Sequence, residues 1–444
     1  MKTWLDRIIP AVTVVSSCAL AACNAGQSVV AGNQQGVVPF GSSAIVLPHG
    51  GGGKTPNSIR PNSISTVYHV VYAFGQYEGD AGVPEAPLLH ADGALFGTTV
   101  RGGSSGVRLG TVFEITLPSA ERVIYSFGGR FAGSPSGGVI MVDGALVGAT
   151  GGGGSHPDGI VYRVTQQGSL SVLHSFTGSP DDGAGPSGSL VNVNGTLYGT
   201  TTGGGTHGAG TVYSIDKTGH EAVVYSFAGG SDGATPEASL IENNDVLYGT
   251  TSGGGLGFGT VFSLTPSGDE NVLYRFGGAP DGANPGASLT NVNGTLYGTT
   301  TVGGNSKQPE CKPGEGNPGC GTLFSIDPSG KEKVVVSFGG CGAHPGRYPL
   351  SNPLYVFGKF YGTTPAGTGH FGSGVVFSTS TGGREDVLYS APRHVPFSSY
   401  AGLIDVNGTL YGTAAAGGGG KKCIGGAGLS KGCGLVFALT RVKH

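Results

Sequence analysis

Chemistry in this 444-residue chain has to come from few residues, chiefly 7 cysteines and 11 histidines. Five of the cysteines lie beyond residue 300: Cys311, Cys320, Cys341, Cys423 and Cys433. Cys320-Gly321 and Cys433-Gly434 stand at the same point of a repeated pattern, and each has a cysteine nine or ten residues upstream in an enlarged loop. That placement predicts the disulfides Cys311–Cys320 and Cys423–Cys433, with Cys341 left over as the one competitor. Such staples suit an oxidising, exported location.

Three glycine-rich loops carry a histidine: His156 in "GGGSHPDG", His207 in "GGGTHGAG" and His370 in "GTGHFGSG". They come from different copies of the pattern and lack short ligand spacing, so solvated loop histidine is the better reading and no metal or cofactor is expected. Asp80, Asp182, Asp232 and Asp281 stand beside Gly and Pro. One carboxylate per loop is far from a calcium cage, and Asp before Gly usually caps its own turn. If the long loops bind a ligand, His156, His207, His370, Asp232 and Asp281 are the candidate contacts. A further polar position, His90, Asn192, Glu242, Asn291 and Asp405, recurs among apolar neighbours and reads as a water-exposed or channel-lining row. No nucleophile elbow, phosphate loop or zinc ribbon is present, so no catalytic residue is assigned.

The elements that hold these residues follow from composition and period. Glycine supplies 89 residues and charged residues only 11%, which demands many tight turns and leaves little room for long charged helices. A net charge of −3 provides no basic stripe for phosphates, so nucleic acid is excluded as a partner. Residues 1–22 read as a lipoprotein-type signal: Lys2 and Arg7, an apolar run from Ile8 to Ala22, then Leu20-Ala21-Ala22-Cys23. Acylation of Cys23 would anchor the chain to a membrane. Cleavage after Ala19-Leu20-Ala21 and acylation at Cys18 are the competing readings. Residues 23–66, rich in Gly, Ser, Asn and Pro, read as a flexible tether.

From residue 67 to 440 the chain repeats. A Leu-Tyr-Gly-Thr-like segment recurs around Gly97, Gly148, Gly199, Gly249, Gly298, Gly362 and Gly412. "GTVF"-like and "VLYSF"-like segments keep step with it. Copy three shows the unit: "SLVNV", Asn194-Gly195, "TLYGTT", a glycine-rich loop, "GTVYSID", a Thr218-Gly219 turn and "AVVYSF". Each apolar segment reads as a strand, and Asn-Gly between two of them is a strong hairpin signal. Both faces of each strand are apolar, which a sheet tolerates only between two neighbours. The prediction is an all-β, seven-bladed β-propeller of four-stranded antiparallel blades. Gly199 is expected to let adjacent sheets approach closely. Because "VVYAF" (70–74) precedes the first full copy and the last stops after "GLVFAL" (434–439), the N-terminal strand should complete the last blade. A parallel β-helix is the rival architecture and lacks the hairpins.

The segments "NGTLYGTT..GG", "GTVFSI", "VLYSF" and "DGA.P" resemble the choice-of-anchor tandem repeat (GloVer) family of bacterial exported proteins over about residues 68–439. The resemblance implies an envelope location through variable anchors and supplies no activity or catalytic residues. In strand order the unit also resembles kelch repeats but lacks their Trp; the single Trp is Trp4. The expectation is a monomeric, lipid-anchored propeller that binds a glycan, peptide or protein on its long-loop face. An extracellular polysaccharide lyase or hydrolase on the same scaffold is the alternative.

Overall fold

The computed structural model describes residues 45–46, 64–105, 108–129, 133–305, 311, 319–339, 346–367, 371–383, 385–392, 397–420 and 432–443. These lie in the compact unit Phe40–His444. Cys23, Cys341, His370 and Cys423 fall outside the described residues. No described helix is long and apolar enough to cross a membrane.

Seven antiparallel blades follow one another along the chain; six are four-stranded sheets with their strands paired in sequence order, and the seventh takes its outer strands from the start of the chain. Blade 3, for example, is Gly183–Val193, Thr196–Gly204, Thr211–Ile215 and Glu221–Ser226. The first hairpin of each blade turns through residues with positive φ, as at Asn194 (53°) and Gly195 (89°), which is why Asn-Gly recurs there. The polar row of the inner strands serves this turn. Asn192 and Asn291 accept hydrogen bonds from the amides of Gly195 and Gly294 at 2.8 Å, and Glu242 and Asp405 accept from Asp245 and Gly408. Side chains that look channel-lining in sequence thus cap their own hairpins.

The Gly of each Leu-Tyr-Gly-Thr segment has a different use from the one expected. A Cβ on Gly249 would sit 2.5 Å from Cζ of Phe262, its partner on the third strand of the same blade. It is this ring, rather than a neighbouring sheet, that needs the space. The ring then meets the "VLYSF" phenylalanine of the preceding blade edge-on: Phe74–Phe113, Phe127–Tyr162, Phe176–Tyr213, Phe227–Phe262, Phe276–Phe324 and Phe338–Phe377, with centroids 4.9–5.1 Å apart. All these side chains are fully buried. Each pair contributes about 0.5–1.5 kcal/mol beyond its buried area. The first Thr of each segment adds a polar staple, donating to a backbone carbonyl of the next blade: Thr98 to Gly137, Thr250 to Ala287 and Thr363 to Ala401. Blade 2 has Ala149 there and lacks the donor.

The ring closes as its phase predicts. Ile64–Ala73 pairs antiparallel with Leu435–Lys443 and becomes the outer strand of blade 7. Thr413 of blade 7 donates to the Ala86 carbonyl that leads into blade 1, at 3.2 Å. Two details depart from expectation. The closing strand starts at Ile64, and Ile45–Val46, inside the stretch read as tether, pairs with Val67 and Tyr68 as a fifth strand.

Candidate functional site

Antiparallel order sends the short hairpins to one face of the ring and gathers the loops between second and third strands, and those between blades, on the other. On this second face the loops are ordered by pairings of their own. Ala81–Gly82 pairs with Arg101–Gly102, Gly233–Ala234 with Gly253–Gly254, and Gly282–Ala283 with Val302–Gly303. Loops held this way present their side chains without a large ordering cost on binding.

The innermost segment of this face follows the Pro of each "DGA.P" motif. Here equivalent residues of successive blades touch: the Gly138 amide donates to Ser189 Oγ at 2.9 Å, the Ser189 amide to Ser239 Oγ at 2.7 Å, and Ser187 Oγ to the Glu237 carbonyl at 2.8 Å. Rotation by one-seventh of a turn displaces equivalent residues by nearly their distance from the axis, so residues in such contact must lie beside the axis. The segment therefore rims the central channel. Ser136 and Ser187 hold the position after Pro in blades 2 and 3, whereas blades 1 and 4 place Glu85 and Glu237 there. Glu85 is exposed and Glu237 half-buried, yet the protein packed around the rim strips enough water to push both carboxyls up; Arg101 opposes the shift at Glu85, and a hydrogen bond from Ser252 opposes it at Glu237. Tyr400, from the loop before blade 7, is 36% exposed and close enough to Glu85 for that carboxylate to add to the effect of burial on its hydroxyl. The rim offers hydroxyls, two carboxyls and an accessible ring.

The residues singled out by sequence lie elsewhere on this face. His156 and His207 are exposed in loops of blades 2 and 3, His156 with Nδ1 3.2 Å from Ser155 Oγ. Asp232 and Asp281 are drawn into blade junctions. Asp232 accepts from Tyr225 Oη (3.1 Å) and the amides of Ala228 (2.8 Å) and Gly233 (2.7 Å). Asp281 does the same with Tyr274, Gly277 and Gly282. Each faces a glutamate on the outer strand of the next blade. Burial, then the Asp232 charge, pushes Glu270 up to about 7; burial, then Asp281, does so at Glu332. Asp80 and Glu121 repeat the arrangement: burial first and Asp80 next lift Glu121 to about 7, against a 2.6 Å hydrogen bond from Tyr77. At the junction of blades 2 and 3 the ring is His174 and the carboxylates are Asp182 and Glu221.

Cys311 and Cys320 are joined in a disulfide with Cα atoms 4.9 Å apart, both fully buried against Leu323 and Phe338. Cys433 is also disulfide-bonded. Two features escape a reading confined to one repeat. The signal for the rim was a carboxylate directly after Pro in only two copies, Pro84-Glu85 and Pro236-Glu237. The signal for the junctions was a recurring Glu at the start of the outer strand, at 121, 221, 270 and 332.

The sequence profile described as the Gloeobacter/Verrucomicrobia repeat matches residues 58–181 and 83–309, more than half of the chain. No curated protein matches in sequence. Among solved structures, a gluconolactonase from Xanthomonas campestris aligns with a TM-score of 0.37 at 14% identity, covering 89% of this chain and 99% of its own. A second structure described as a gluconolactonase by family aligns with a TM-score of 0.36 at 15% identity, covering 70% of this chain and 91% of its own.

Proposed function

We propose that this chain, which belongs to the Gloeobacter/Verrucomicrobia repeat family, is a glycan-binding propeller tethered to a bacterial envelope through a lipid on Cys23. The observation that carries the reading is the channel rim of the long-loop face. Ser187 and Glu237 meet at this rim, Glu85 and Ser136 hold the equivalent positions in blades 1 and 2, and Tyr400 lies beside Glu85. Sugar hydroxyls suit such a rim, because carboxyls and hydroxyls exchange hydrogen bonds with them while an exposed aromatic ring covers a sugar face. At the blade junctions the aspartates are occupied by backbone amides and by tyrosine or histidine rings, as at Asp182, Asp232 and Asp281, which suits them to holding the junction rather than to proton transfer.

Two predictions test this. A panel of bacterial and plant polysaccharides, offered to the full chain carrying Cys23→Ser, should include at least one retained with a saturable isotherm. For that glycan, Glu85→Ala and Tyr400→Ala should each weaken binding about tenfold, the effect of roughly one lost hydrogen bond or stacking contact of 1–1.5 kcal/mol. Retention of none, or unchanged affinity in both variants, removes the reading. Release of new reducing ends from the bound glycan would turn it toward the extracellular carbohydrate-active enzyme. In cells, Cys23→Ser should move the protein from the membrane to the soluble fraction; unlipidated wild-type protein with a different N-terminal residue would dismiss the anchor.

A further inference from the structure

We propose that His174, Asp182 and Glu221 form a binding site for one divalent transition-metal ion, zinc by its ligand chemistry, that clamps blade 2 to blade 3. Three other junctions put a tyrosine where His174 stands: Tyr72, Tyr225 and Tyr274 each donate a hydroxyl proton to the neighbouring aspartate. A neutral tyrosine is a poor metal ligand, and burial raises all three hydroxyls further. Imidazole at this one junction replaces a proton donor with a nitrogen that binds zinc well.

The geometry is close to a coordination sphere. The three ligand atoms lie within 4.8 Å of one another. His174 Nε2 is 3.0 Å from Asp182 Oδ2 and 3.8 Å from Glu221 Oε2. Ligands about 2.0–2.2 Å from a tetrahedral zinc stand roughly 3.3–3.5 Å apart, between those two separations. Small side-chain adjustments therefore suffice. Glu221 Oε1 is buried without a hydrogen-bond partner, a position that a cation would relieve.

The surroundings hold the ligands in place. Asp182 accepts from the Thr177 amide (2.8 Å), Thr177 Oγ1 (3.2 Å) and the Gly183 amide (2.6 Å), and Phe176 packs edge-on against the imidazole at 4.7 Å. Such supports orient metal ligands. His174 and Glu221 side chains are 21% and 13% exposed, so an ion can enter and keep a water as its fourth ligand. Charge also balances: a neutral imidazole and two carboxylates offset one dication. Binding breaks the His174–Asp182 hydrogen bond and moves the imidazole proton to Nδ1, so no redox step or co-reactant is needed.

The test uses the untagged full chain stripped with EDTA. Zinc titrated by calorimetry should bind at one saturable equivalent and raise Tm, and cobalt should give the visible absorption of a low-coordinate site. His174→Tyr installs the residue found at the equivalent junctions and should fold normally. It should nonetheless weaken zinc by roughly 100-fold or more, since loss of outer supports alone costs 10–100-fold, and remove the cobalt band. Glu221→Gln should weaken zinc as well. Equal zinc affinity in wild type and His174→Tyr would place the metal on other histidines and overturn the proposal. Absence of saturable binding at millimolar zinc, or an unaffected Glu221→Gln, would do the same.

Discussion

A chain shortened through Phe74 is expected to lose cooperative folding, whereas one shortened only through residue 63 should keep it. The longer deletion removes the whole outer strand of blade 7 and exposes the facing edge, Leu435–Lys443. With the strand go Tyr68, Val71 and Phe74, all buried; Tyr68 stacks on Tyr389 with ring centroids 3.9 Å apart, and Phe74 meets Phe113 of blade 1. At about 1.5–3 kcal/mol for each buried apolar side chain, the loss is on the order of 5–10 kcal/mol before any backbone hydrogen bond is counted. Domains seldom have more than about 5–15 kcal/mol in total. Among the described residues, the shorter deletion removes only the Ile45–Val46 pairing. Far-UV circular dichroism melts should show a sharp transition for residues 64–444 and a broad or absent one for 75–444. A synthetic peptide of residues 64–74 should restore the transition by adding the missing strand. Identical melts for the two truncations would contradict closure through this strand.

Stability should fall as pH rises from about 4.5 to about 7 and level off beyond. Glu121, Glu270 and Glu332 are each raised from an ordinary 4.5 to about 7, by burial first and by the neighbouring Asp in each case. A carboxyl with a higher pKa in the folded state binds more protons there than in the unfolded chain. Its stabilising contribution is thus full below about 4.5 and lost as pH passes 7. Partial exposure discounts each site to on the order of 1 kcal/mol, so the three together shift Tm by roughly 4 °C in a body of this size. Glutamine at all three positions mimics the protonated acid. The triple variant should therefore melt higher than wild type at pH 8 and show a shallower profile between pH 5 and 8, the remainder coming from Glu85, Glu221 and Glu237. A wild-type Tm that climbs from pH 5 to 8 would reverse the assigned sign.

What sequence could show here was local to a repeat or periodic across repeats. Asn194-Gly195 and its equivalents mark the hairpins because only residues tolerant of positive φ serve there. The early strand around Val70 and the truncated last copy reveal the phase of closure. Contacts between blades were less legible. Glu270 looks like a solvated strand end until the ring brings it against Asp232, which lies in the loop entering its blade. Asn192 looks like a channel residue because alternation alone points it inward, while the turn two residues later recruits it as a cap. Glu85 and Glu237 carry no motif, and only the radius at which Ser187 meets Glu237 marks them as lining the channel.

Closure by the earliest strand also sets a clock on biogenesis. Ala73 and Leu435 are direct partners, and 362 residues separate them. At about 5–20 residues per second the first strand waits roughly 20–70 s after synthesis for its partner to be made. Throughout that interval the nascent chain carries an unpaired apolar strand, the kind of edge that recruits other chains. Blades 1 to 6 contain all four of their own strands and can assemble in order as they appear, so the cost of waiting is confined to one segment. The ring becomes complete only once Leu435–Lys443 is available to pair, which makes that strand the step that commits the whole body to its folded state.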